Sequence, residues 1–90
     1  MDFYKRAEEL KNMLRMLATM RDDDRLLDYI EMIDLEEMND FSLFVYIGSL
    51  TQYFSQLKFF SEEEISALQL YDSSLVSIDV WRRIKYAWAD

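Results

Sequence analysis

The chain has 90 residues and a net charge of −8; 51% of it is apolar and 16% aromatic, and it holds neither cysteine nor histidine. That excludes disulfides, zinc–thiolate sites, Cys–His pairs and Ser–His–Asp arrangements, while leaving enough apolar surface for one modest core. With no proline and one glycine, Gly48, there is almost no turn chemistry for hairpins.

The composition therefore predicts an all-α fold, a compact bundle of four to five short helices forming a single domain over 1–90. The first helix is expected over Asp2–Met20, where Phe3, Ala7, Leu10, Leu14 and Leu17 repeat at steps of four and three, with Met13, Met16 and Met20 widening the stripe. The first residues, Met1 to Arg6, are charged and carry no signal-peptide core, which makes the cytoplasm the expected location. Asp22-Asp23-Asp24 reads as a link and a helix cap. A calcium loop would need alternating ligands, a glycine and a closing glutamate at fixed positions, and these do not follow.

A second helix is expected over Asp23–Asp34, with Leu26, Tyr29, Ile30 and Ile33 on its inner side and Asp24, Asp28 and Glu31 opposite. Leu35–Asn39 is less periodic and reads as a loop or a separate turn. A third helix follows over Asp40–Phe59. Its stripe is Leu43, Ile47, Leu50, Phe54 and Leu57, and residues 43–47 are apolar all round, which predicts a central, well-covered helix. A strand over this β-branched, aromatic run would lack a partner strand. The many polar residues between Phe41 and Leu57 also argue against a membrane span.

Ser61-Glu62-Glu63-Glu64 is a capping box that opens a fourth helix over about 62–72, with Ile65 and Leu68 inward. A fifth runs from about Ser77 to the end. Ile78, Trp81, Ile84 and Trp88 are expected inward, and Arg82, Arg83 and Lys85 form a solvated face.

The charge is unevenly placed. Residues 1–25 hold six acids and six bases; residues 26–80 hold eleven acids and one base, Lys58. Such acidity repels nucleic acid and suits a basic protein surface. Asp24, Asp28, Glu31, Asp34, Glu36, Glu37 and Asp40 are the candidate partner-binding residues, with nearby tyrosines suited to arginine and lysine. Along Asp24–Asp28–Glu31 the charges fall about 5 Å apart at ~1.5 Å rise, too sparse to copy a phosphate backbone in detail.

No cofactor, metal or catalytic site is expected, because the acids sit on helix faces and caps with few loops to wall a cleft. In size, acidity and helical content the chain resembles, by class and without a shared motif, two groups. One is small phage proteins that block bacterial defence enzymes; the other is immunity proteins that neutralise nuclease toxins. The first expectation, set by the acidic face, is a stoichiometric inhibitor that binds the positively charged nucleic-acid site of an enzyme and excludes the substrate. The alternative expectation is a non-catalytic structural subunit that self-associates through its methionine-rich first helix or aromatic third helix.

Overall fold

The structure is a computed structural model that describes residues 2–72 and 78–87. The fold is all-α. It has five α-helices, α1 (Phe3–Met20), α2 (Asp24–Glu31), α3 (Asp40–Ser55), α4 (Glu62–Tyr71) and α5 (Ile78–Ala87), with 3-10 turns at Leu35–Glu37 and Leu57–Phe59 and no strand among the described residues. The chain falls into two compact units, 1–53 and 54–90.

In the first unit, α1 contains no valine or isoleucine to restrict its rotamers, and it starts where the Asp2 side chain accepts the Lys5 amide at 3.1 Å. It stops through a left-handed turn. Asp22 takes φ 51°, the Asp23 amide donates to the Ala18 carbonyl (2.9 Å) and the Asp22 amide to that of Thr19 (3.2 Å). Glycine usually fills this position, but the chain's one glycine lies elsewhere, so aspartate, which tolerates the conformation better than most residues, takes it. The α1 stripe is buried as expected at Ala7, Leu10, Leu14 and Leu17, with Met13 and Ala18 beside them; Met20 is exposed.

α2 packs on α1. Asp23 caps it by accepting the Leu26 amide at 3.1 Å, and Ile30 is fully buried, worth about 1.5–3 kcal/mol of burial. The helix ends at Glu31, earlier than the periodicity indicates. The Ile33 amide turns back to the Ile30 carbonyl, Lys11 of α1 donates to the Ile33 carbonyl at 2.7 Å, and Asp34 accepts the Glu36 amide at 3.0 Å, opening the first 3-10 turn. That turn drives Leu35 into a cluster with Ala7 and Leu43, onto which Phe3, Ile33, Met38, Tyr46 and Ile47 pack. Residues 35–37 are thus an anchored turn.

α3 opens at Asn39, whose side chain accepts the Ser42 amide at 2.8 Å. It stops at Ser55, and Leu57–Phe59 forms the second 3-10 turn, so the expected helix to Phe59 is two elements. The expectation of a well-covered α3 is overturned: Phe41 is 74% exposed, Phe44 61% and Val45 48%. Its apolar residues exceed what the α1 side of the helix can cover, and the surplus faces outward.

In the second unit, Phe54, Leu57, Phe60, Ile65 and Leu68 are buried, with the Phe54 and Phe60 rings 6.3 Å apart. Both halves of the capping box form: the Glu64 amide donates to Ser61 Oγ (3.1 Å) and the Ser61 amide to Glu64 Oε1 (2.9 Å). Arg82 of α5 donates to both carboxylate oxygens of Glu62, at 2.5 and 3.0 Å, and lies 3.7 Å from Asp79. Arg82 and Arg83 are exposed, as expected. Ile78, Trp81, Ile84 and Lys85 lie on α5 as expected, but the burial or exposure expected of their side chains, and the whole of Trp88, fall outside what the structure describes.

Candidate protein-binding surface

All seven candidate carboxylates are exposed and belong to the first unit. Asp24 occupies the first turn of α2, where a negative charge favours the helix; Asp28 and Glu31 occupy its last turn, where it opposes the helix dipole. Asp34 caps the first 3-10 turn, Glu36 and Glu37 lie within it, and Asp40 begins α3. Glu31, Asp34 and Glu36 are brought together around a polar hollow of about 430 Å³ that also holds Tyr4, Glu8, Lys11 and Arg15. Asp24, Asp28, Glu37 and Asp40 stand outside it.

The acidic stretch is less bare than its own sequence indicates. Arg15 Nε donates to Glu31 at 3.1 Å while its Nη1 reaches Asn12 at 2.7 Å, and Lys11 closes the end of α2. Both bases come from α1, so a count of charges within residues 26–80 misses them. Among the described residues, Glu31 is the one member of the seven held in an ion pair. Partial burial, followed by the nearby carboxylates of Glu36, Glu8 and Asp34, pushes the Tyr4 phenol above its ordinary pKa.

Beside this acidic surface lies a feature that the sequence reading did not assign. A groove of about 530 Å³ opens between α2 and α3. Leu26 and Tyr29 wall it on α2, while Phe41, Val45, Tyr46, Ser49 and Tyr53, with Ser42 and Leu50, wall it on α3; Met38 and Leu14 complete the lining. Tyr29, expected to point into the core, is 59% exposed on the α2 wall. The Tyr46 hydroxyl is buried without a hydrogen-bond partner, and burial is the main cause of its raised pKa. Phe41 was the available signal: it is a large apolar residue off the Leu43–Ile47–Leu50–Phe54 stripe, at the start of a helix already apolar all round.

No known family model, curated protein or solved structure matches the chain. The reading of this surface therefore rests on its chemistry alone. Among the described residues no helix is long and apolar enough to cross a membrane, and no three carboxylates converge as a metal site requires.

Proposed function

We propose that the chain is a small, non-catalytic protein-binding module whose acidic surface engages a cationic site on a partner, of the kind that an enzyme uses to hold nucleic acid. It then acts as a stoichiometric inhibitor by excluding the substrate. The observation that carries the reading is the placement of charge: seven exposed carboxylates on α2, the first 3-10 turn and the start of α3, with Glu31 alone ion-paired among the described residues. Asp28 adds to this, because a carboxylate in the last turn of α2 opposes the helix dipole and lowers the stability of the free protein. A cationic partner offsets that cost. Charges arranged in this way speed encounter and make binding salt-dependent.

The test is to titrate purified nucleic-acid-processing enzymes with the chain. The expected result is loss of substrate binding by one of them at one-to-one stoichiometry, relieved as salt rises. An inhibition that salt leaves unchanged counts against the acidic surface as its cause. Self-association is the second reading, supported by the exposure of Phe41 and Phe44 on α3. It requires a sedimentation coefficient that rises with protein concentration.

A further inference from the structure

We propose that the groove between α2 and α3 docks a short amphipathic helix of the protein partner, with apolar anchors toward the groove and lysine or arginine on its flanks. The proposal rests on the protein-binding reading above and names the form that the partner takes at this surface.

The shape of the groove sets the first argument. Phe41, Val45, Ser49 and Tyr53 line it at four-residue steps along α3. That row is about 18 Å long at ~1.5 Å per residue, or a little over three turns. An amphipathic helix with anchors spaced alternately four and three residues apart presents an apolar edge of about the same length, and such helices characteristically seat in open apolar grooves.

Charge supplies the second argument and decides between occupants. From the start of α2 to the end of α3 the sequence carries seven carboxylates and one base, Arg25, while Arg21 at the end of α1 donates to the Tyr53 hydroxyl at 3.5 Å. A flank of lysine or arginine complements the elements that wall the groove. A second copy of this chain would instead bring another net −8 to the same place.

The experiment uses the full chain and a fluorescent synthetic peptide about four turns long, with leucines spaced alternately four and three apart and lysines on the other faces. Its controls are the same peptide with glutamate for lysine and a scrambled lysine peptide of identical composition. Anisotropy should show the ordered lysine peptide binding at least about tenfold more tightly than either control. Val45→Gln changes an exposed groove residue; it should weaken the ordered peptide by about tenfold and leave the melting temperature unchanged.

Equal binding of the ordered and scrambled lysine peptides overturns the groove proposal and leaves the cationic-partner reading standing. Equal binding of the lysine and glutamate peptides overturns both. A dimer in sedimentation that Val45→Gln abolishes overturns the proposal by placing a second copy in the groove.

Discussion

Gly48 lies in the middle of α3, is exposed, and has no positive φ. A methyl group built on it meets nothing within 4 Å. Nothing local therefore requires glycine there. Gly48→Ala reduces the conformational freedom of the unfolded chain and improves helix propensity, which together amount to about 0.5–1 kcal/mol. No close contact subtracts from this gain. For a chain of this size, ~1 kcal/mol corresponds to roughly 4–8 °C in melting temperature, so the expected rise is about 2–8 °C. Position 48 is not among the groove-lining residues, so peptide binding should be unchanged. Thermal melts by circular dichroism, with urea titrations to check that the midpoint rises at a constant slope, provide the assay. A melting temperature that stays the same or falls would refute the reasoning, since α3 would then need glycine for a reason absent from its packing.

Three further outcomes follow from particular contacts. Tyr46→Phe removes a buried hydroxyl without a partner and should stabilise the protein at neutral pH by about 1 kcal/mol. The folded Tyr46 holds its proton more tightly than the unfolded chain, so the wild type loses stability as pH rises past the ordinary phenol value of about 10; urea titrations across that range should show a smaller loss in Tyr46→Phe. Asp28→Asn should raise stability by about 0.3 kcal/mol at low salt, fading as salt screens the helix end; a loss of stability would mean that the carboxylate is structural. Ser61→Ala removes the cap on the Glu64 amide and should cost about 1 kcal/mol by denaturant melts, whereas a neutral result would mean that water caps α4 equally well.

The all-α fold and most helix positions were legible because α1 has an unbroken apolar stripe and α4 a complete capping box, both local signals. What was not legible came from contacts between distant residues. The end of α2 depends on Lys11 reaching the Ile33 carbonyl, 22 residues away, and periodicity alone runs past it. The separation of Leu57–Phe59 from α3 follows a break at Gln56, whose ψ of 57° leaves the helical region without any glycine or proline to signal it. The exposure of Asp24, Asp28 and Glu31 was legible, since their face lies away from the buried Ile30. The pairing of Glu31 with Arg15 was not, because it joins two helices. Nor was the groove: an apolar run states how much surface needs cover, not whether neighbours supply it. On α3 that supply falls short at Phe41, Phe44 and Val45.

The central claim is that the acidic surface binds a cationic partner. Its most direct test is a variant with Asp28→Asn, Glu36→Gln and Glu37→Gln, which spares the Arg15–Glu31 pair and the caps formed by Asp23 and Asp34. The measurement is the association rate with the inhibited enzyme, or with the ordered lysine peptide, across a series of salt concentrations. The account predicts that the wild-type rate falls steeply with salt and that the variant associates more slowly at low salt with a shallower dependence, its fold unchanged. Equal rates and equal salt slopes for the two proteins would contradict it.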